Sequence, residues 1–491
     1  MQNSTIPTKL FIANEYVSSE GDDRLTLRNP WNDSDITKDV HVAGRDDINN
    51  ACLAAESALG KGPWAQFTGA QRSAHLLRVA ALMEENAEKL AYLESIPTGR
   101  PISAIIHFDI KHMVEVFRYY AGWADKIEGR SYIEDNGFYK IVRYEPIGVC
   151  AGIASWNATF MYVGWKIAPA LAAGNCFIFK SSEKSPLGAL ALGQLFKEAG
   201  FPPGVVQFVT GDGNTGSLLA SHQKISKLSF TGSANVGRKI QEAAAKSNLK
   251  KITLELGGKS PAIVFADAPM EIAIGGYSVG GGFLANSGQI CVAASRVIVE
   301  ESISKEFCSS LVKLFESVSA EMGTNPLDAS TTHGPIVDQQ QFQRVMGYIE
   351  QGKRSAELLT GGSRIGTKGQ FIQPTIFLNP QKDSSIWTEE IFGPVLTVMT
   401  FKDEEEAIGL ANETDYGLAS CIYTSDVTRA LRVSSRVQSG GVAINSPFLP
   451  ELNTPFGGIK QSGYGHELGK ESLKSYMNAK SIHINMEIPK L

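Results

Sequence analysis

Between residues 148 and 255 the chain repeats one unit, a short apolar run followed by a segment with helical spacing. Strands linked through helices run parallel, so this alternation commits the region to a βαβ sheet with helices on its faces. Residues 148–154 (GVCAGIA), 175–180 (NCFIFK), 205–209 (VVQFV), 227–230 (KLSF) and 252–255 (ITLE) read as five buried strands. The spacing predicts an amphipathic helix over 163–173 and another over 186–199 that stops at Gly200. Open sheets of this kind hold ligands at the carboxyl ends of their strands. Two stretches break the pattern. Residues 132–142 (YIEDNGFYKIV) read as a hairpin turning at Asn136-Gly137, and 481–486 alternates polar and apolar residues. As exposed β-edges, both are expected to be covered by another subunit.

With 491 residues, the chain exceeds one hydrophobic core, so two or three domains are expected. Its net charge of -5, without basic blocks, argues against nucleic acid or an anionic membrane as partner. The cysteines Cys52, Cys150, Cys176, Cys291, Cys308 and Cys421 are scattered, with no cluster at metal-ligand spacing. No disulfide framework and no metal are expected, and a reducing, cytoplasmic location follows. His107 and His112, five apart, share no α-helical face and read as ordinary surface or core residues. The first ten residues lack a basic stretch followed by an apolar one, so no secretory leader is expected. No apolar run is long enough to span a bilayer. The ending Pro489-Lys490-Leu491 is similar to a peroxisomal Ser-Lys-Leu address with proline in place of the small residue, and a plain tail is the simpler reading.

A formal GxGxxG, Gly211 to Gly216, follows the third strand. The dinucleotide fingerprint also needs an acidic residue closing the next strand, and that strand ends Ser229-Phe230-Thr231. The match therefore reads as a glycine-rich turn without cofactor contact. A better phosphate site follows Phe230, where Gly232 allows close approach and Ser233 offers a hydroxyl at a helix N-terminus. Ser233 would equally suit a plain helix cap. At the end of the second strand, Lys180 and Glu183 suit ribose hydroxyls, and Glu183 would repel a 2′-phosphate, favouring NAD over NADP. A surface Lys/Glu pair is the alternative there.

Cys291 follows Asn286-Ser287-Gly288-Gln289-Ile290, and Glu255 precedes Leu256-Gly257-Gly258-Lys259. A soft nucleophile and a carboxylate that activates water are the two reagents of a two-step covalent reaction. A free cysteine is otherwise a small buried hydrophobe, but Gly, Gln and Asn neighbours suit a loop better than an apolar wall.

These segments resemble the NAD(P)-dependent aldehyde dehydrogenase superfamily over nearly the whole chain, and its hydrolytic, tetrameric branch in particular. The resemblance rests on the blocks Glu145 to Val149, Ser155-Trp156-Asn157, Trp165 to Asn175, Phe230-Thr231-Gly232-Ser233 and Leu254 to Pro261, the Cys291 block, Glu389 to Val395, and Pro455-Phe456-Gly457-Gly458. It implies an α/β fold with a Rossmann-type parallel sheet for the cofactor (1–126 and 147–257), an α/β catalytic domain (258–456) and a small β oligomerisation element (127–146 and 473–491). It further implies NAD as cofactor (NADP less favoured), a small-molecule aldehyde as substrate, and a homotetramer or homodimer.

By the same resemblance, Cys291 attacks the aldehyde, Asn157 and the Cys291 N–H hold the oxyanion, and Glu255 activates the hydrolytic water. Lys166 and Glu467 relay protons or form a structural ion pair. Lys180 and Glu183 contact the adenine ribose, Ser233 the pyrophosphate, and Glu390 and Phe392 the nicotinamide ribose. Ser155, Trp156, Gly232, Leu256 and Gly257 complete the cofactor set. Ala158, Tyr162, Trp165, Ala285, Ile290, Val292, Phe448 and Phe456 line the aldehyde tunnel. Ala158 and Ala285 are small where bulky aromatics are common, and this set holds no lysine, arginine or carboxylate. A bulky apolar or aromatic aldehyde is expected, with a quaternary-ammonium (betaine-type) aldehyde as the alternative. A CoA-acylating or a non-catalytic structural relative ranks lower, because Glu255, Cys291 and Asn157 are all present. Ser155 and Ser181 stand where the family commonly has proline, Ala234 where it has threonine, and Pro97 interrupts a segment that usually contains aspartate. These departures bear on positioning and rate, not on the reaction class.

Overall fold

The computed structural model describes residues 6–487, so the C-terminal Pro489-Lys490-Leu491 lies outside the described residues. The five predicted strands form, within one residue at each end, Val149–Ile153, Cys176–Lys180, Val206–Val209, Lys227–Thr231 and Lys251–Glu255. They run parallel in one sheet, with Val149–Ile153 central, Cys176–Lys180 then Val206–Val209 to one side, and Lys227–Thr231 then Lys251–Glu255 to the other. The antiparallel pair Leu10–Ile12 and Glu15–Val17 closes one edge, and Gly463–Tyr464 closes the other beside Glu255. The sequence of these strands explains their burial: VCAGI and CFIFK are buried at every residue, as strands between two helical layers must be.

The helix Thr159–Ala172 begins four residues before the predicted start and is buried along its whole length. It is therefore not amphipathic. It lies between the sheet and the helix Lys111–Ala121, where Gly164 packs against the Met113 backbone. The helix Pro186–Glu198 ends as expected, with Gly200 at φ +85° just beyond it. Pro97 sits in the last turn of Ala87–Thr98, and Gly99 at φ +71° ends that helix. There the ring removes little of the helical ladder.

A second sheet holds seven strands in the order Glu357–Thr360, Thr375–Leu378, Val395–Phe401, Arg296–Glu300, Pro261–Val264, Ala419–Tyr423, Gly441–Ile444. Only its first pair is antiparallel. A third sheet has Phe138–Pro146 in the middle, flanked by Arg130–Asp135 and Met477–Asn485. The hairpin turns at Asn136 and Gly137, both with positive φ as a tight hairpin requires. Here one expectation needs correction. The hairpin and the C-terminal strand cover each other within one chain, over nine paired positions from Met477↔Pro146 to Asn485↔Phe138. Only the outer edges of this small sheet remain open.

Candidate active site

The loop carrying Cys291 is held by its polar residues. Asn286, Ser287 and Gly288 are consecutive left-handed residues, at φ 48°, 54° and 71°. Two of them are not glycine, a costly conformation that surrounding bonds must impose. Ser287 Oγ donates to the Gly334 carbonyl at 2.6 Å. The Gln289 side chain donates to the Asn286 and Pro335 carbonyls and accepts from the Val337 N–H at 3.0 Å. A Cβ at Gly288 would lie 2.3 Å from the Gly393 carbonyl oxygen, so only glycine fits.

The loop presents Cys291 at a cavity of about 360 Å³. Its walls include all eight predicted tunnel residues: Ala158, Tyr162, Trp165, Ala285, Ile290, Val292, Phe448 and Phe456. Asn157 lines it as well. Burial, then the carboxyls of Glu390 and Glu255, push the Cys291 thiol up to about 12, so at neutral pH it holds its proton. The Asn157 amide donates to the Gln289 carbonyl at 3.1 Å.

Glu255 ends its strand only 2% exposed, and among the described residues neither carboxyl oxygen has a hydrogen-bond partner. Burial, reinforced by the Glu467 charge and opposed by Lys166, raises its pKa well above the ordinary carboxylate range. Lys166 and Glu467 form a fully buried ion pair at 2.9 Å, joined by Ser229 Oγ, which donates to the same carboxyl oxygen. The other Glu467 oxygen is unpartnered.

The predicted cofactor positions lie around the carboxyl ends of the first sheet. Lys180 is 3% exposed, its ammonium bonded only to the Ser181 carbonyl, while Glu183 is exposed. Lys180 is therefore a buried group and not half of a surface pair. Ser233 occupies the N-cap position of the helix Ala234–Lys246, and its hydroxyl makes no cap bond. Gly232 donates its N–H to the Glu255 carbonyl, and a Cβ there would strike the Phe230 ring at 2.5 Å. The Leu256 side chain packs over Gly237. A Cβ at Gly257 would lie 2.3 Å from a Glu390 carboxyl oxygen, and the other oxygen accepts from the Gly258 N–H at 2.9 Å. Burial raises Glu390 to about 7. Phe392, at φ +59°, stands edge-on to Trp156 at 5.4 Å. The decoy behaves differently. At Gly211 to Gly216 the Asp212 carboxylate accepts from Asn214 N and caps the helix Gly213–Ser221, filling that N-terminus with the protein's own negative charge.

Several cavity residues escaped the sequence reading. Arg100 lines the wall, which corrects the expectation of an uncharged tunnel, but it is paired with buried Asp109 at 2.8 Å and is not free for a substrate charge. The histidines also need correction. Residues Ile105–Ile110 form a π-helical turn, and His107 and Phe108 on it line the cavity. His112 accepts from the Trp165 indole N–H at 2.8 Å, and burial lowers its pKa to about 4, which keeps the ring neutral for that role. Gly280 and Gly281 form part of the wall, and a Cβ at Gly280 would meet nothing within 4 Å.

A Rossmann-type sheet, a second, mostly parallel sheet and an apolar cavity lined by a thiol define the class of this α/β protein. The aldehyde dehydrogenase family profile matches residues 16–482. An aldehyde dehydrogenase of Emericella nidulans is 44% identical, covering 98% of this chain and 95% of its own. Human retinal dehydrogenase 2 is 42% identical over 98% of this chain and 92% of its own. A P. syringae indole-3-acetaldehyde dehydrogenase mutant, solved in complex with NAD+ and IAA, superimposes with a TM-score of 0.94 at 36% identity, covering 98% of that chain and 99% of this one. The chain belongs to the aldehyde dehydrogenase family.

Proposed function

We propose that this enzyme oxidises a bulky apolar or aromatic aldehyde to its carboxylic acid with NAD, through a thioester on Cys291. The observation that carries the reading is the convergence of Cys291, Asn157 and an apolar cavity on one point, with an unpartnered buried carboxyl, Glu255, electrostatically coupled to the thiol. The Cys291 thiol gives its proton to water in the cavity as its sulfur adds to the carbonyl carbon, and the same sulfur is the leaving group when the thioester is hydrolysed. The oxyanion that forms is held by an Asn157 side-chain N–H and the Cys291 main-chain N–H. Once the thiohemiacetal is oxidised, Glu255 takes a proton from water as that water attacks the thioester. The buried Lys166–Glu467 pair is suited to relay that proton from Glu255, with a structural ion pair as the alternative.

The residues present fit NAD. Lys180 retains N–H donors without partners, and the buried hydroxyls of Ser181 and Thr231 have none at all. All three stand at strand carboxyl ends, and buried polar groups without partners mark places a ligand completes. Lys180 and Glu183 would hold the adenine ribose, Gly232 and Ser233 the pyrophosphate, and Glu390, Phe392, Leu256 and Gly257 the nicotinamide side, with Trp156 beside it. When bound, NAD supplies the hydride acceptor. In this division of roles 1–126 and 147–257 bind NAD, 258–456 carry the nucleophile, and 127–146 with 473–491 assemble subunits.

The substrate preference follows from Ala158 and Ala285, whose small side chains widen the cavity, and from the relatives that act on retinal and indole-3-acetaldehyde. A larger aldehyde buries more apolar area there, at about 25 cal/mol per Å². Steady-state rates over aliphatic, aromatic and quaternary-ammonium aldehydes, with NAD and NADP in parallel, test the reading. The aromatic or long apolar substrates should show the lowest KM, and Ala285→Phe should raise that KM more than the acetaldehyde value. Equal effects on both would remove Ala285 from the tunnel argument. NAD should be preferred, and Glu183→Gln should narrow the preference. Higher efficiency with NADP in the unaltered enzyme would sink the Glu183 assignment.

A homotetramer built from dimers, or a dimer, is proposed from the third sheet. Arg130–Asp135 is exposed along its length and Ile133 is 92% exposed. A monomer by light scattering at micromolar concentration would reject this.

A further inference from the structure

Asn157 has one carbonyl oxygen and one NH₂ group to place, and its neighbours decide which end goes where. The Gln289 carbonyl only accepts, so the amide nitrogen must face it, at 3.1 Å. Two hydroxyls donate to the amide oxygen, Ser155 Oγ at 2.8 Å and Tyr162 Oη at 3.1 Å. Both lone pairs of that oxygen are then occupied, and one N–H of the nitrogen is left without a protein partner. Tyr162 is 2% exposed, so its hydroxyl has little water to turn to.

We propose that Ser155 and Tyr162 are positioning residues of the oxyanion site, locking the Asn157 amide so that its remaining N–H stays aimed at the substrate carbonyl oxygen. The inference rests on the oxyanion role of Asn157 given above. Its physical basis is twofold. A flipped amide would set an oxygen against the developing oxyanion, so the flipped fraction of molecules is inactive. Two donors on the amide oxygen also polarise it, which strengthens its N–H as a donor. Proline at position 155 stiffens a loop through its ring but has no hydroxyl to donate. Serine here replaces that stiffness with a bond to the working side chain. The roles first expected for these two residues change accordingly. Ser155 serves Asn157 rather than the cofactor, and Tyr162 gives the tunnel its ring while its hydroxyl is engaged behind.

The test uses the full-length enzyme and its Ser155→Ala, Ser155→Thr, Tyr162→Phe and Asn157→Ala variants. Four quantities are read: kcat, aldehyde KM, NAD Kd by fluorescence titration, and Ki for an aryl trifluoromethyl ketone, whose adduct with a thiol carries an oxyanion. Ser155→Ala and Tyr162→Phe should each lower kcat and raise the ketone Ki by about three- to tenfold, the span of one hydrogen bond. NAD Kd should stay within about twofold, and Ser155→Thr, which keeps the hydroxyl, should restore both quantities. Unchanged kcat and Ki in both variants, alongside a large loss in Asn157→Ala, would overturn the inference and leave the oxyanion reading standing. A raised NAD Kd with unchanged ketone Ki in Ser155→Ala would overturn it in favour of a cofactor contact. Full activity in Asn157→Ala would remove the oxyanion reading and the inference together.

Discussion

Cys291→Ala is expected to lower kcat by about 10⁴-fold or more while NAD affinity stays within about twofold. Alanine removes the sulfur that bonds to substrate and alters little else, because Cys291 lies on a loop held by Ser287 and Gln289 rather than by its own side chain. Substantial NAD reduction by this variant with any aldehyde would refute the nucleophile assignment. The same thiol carries a pH signature. With its pKa pushed up to about 12, the thiol is protonated throughout the neutral range. Only the thiolate alkylates. Without cofactor, iodoacetamide labelling of Cys291 should therefore rise about tenfold per pH unit from about pH 7 to about pH 10. A plateau near neutrality would mean that some group in the cavity already stabilises the thiolate.

Glu255→Gln should leave a burst of about one NADH per subunit, followed by a steady rate lower by about 10²–10⁴-fold, the usual contribution of a general base. An amide of the same shape cannot take a proton from water, so the thioester forms and then waits. The sign of the pH dependence follows from burial. Because the folded protein raises the Glu255 pKa, the carboxyl is an acid at low pH and becomes a base only as pH rises through that value. Deacylation in the unaltered enzyme should gain rate over that limb, and the limb should vanish in Glu255→Gln. Turnover at the unaltered rate would mean that another group activates water.

The parallel strands were legible to within a residue because each is short, mostly apolar and bounded by glycine, proline or a charge, as in Gly148-Val149-Cys150-Ala151-Gly152-Ile153. The helix Thr159–Ala172 was legible only from Val163 onward. Buried on every side, it has no polar stripe to mark its beginning, and no side-chain cap announces its first turn. Six of the eight tunnel residues sit in the segments that carry Asn157 and the nucleophile, and the resemblance supplied Phe448 and Phe456 nearer the C-terminus. Arg100, His107, Phe108, Gly280 and Gly281 were missed for a different reason. Gly280 and Gly281 lie just before Ala285 but outside the matched blocks, and the other three come from a remote segment, His107 and Phe108 by way of a π-helical turn that breaks the α-helical spacing on which the histidines were judged.

Local patterning in the chain therefore specified the nucleotide-type sheet and pointed to the roles proposed for Cys291, Glu255 and Glu183, since each depends on neighbours within a few residues or on a motif. Tertiary packing decided the rest. It set which end of the Asn157 amide turns toward the Gln289 carbonyl, because Ser155, Tyr162 and Gln289 meet only in the folded protein. It neutralised the one cation in the tunnel wall by bringing Asp109 to Arg100. It also closed the hairpin with the C-terminal strand of the same chain, a pairing across more than three hundred residues that no local pattern encodes. Bond direction and charge pairing depend on distances in space, and the spacing of residues along a chain carries no record of them.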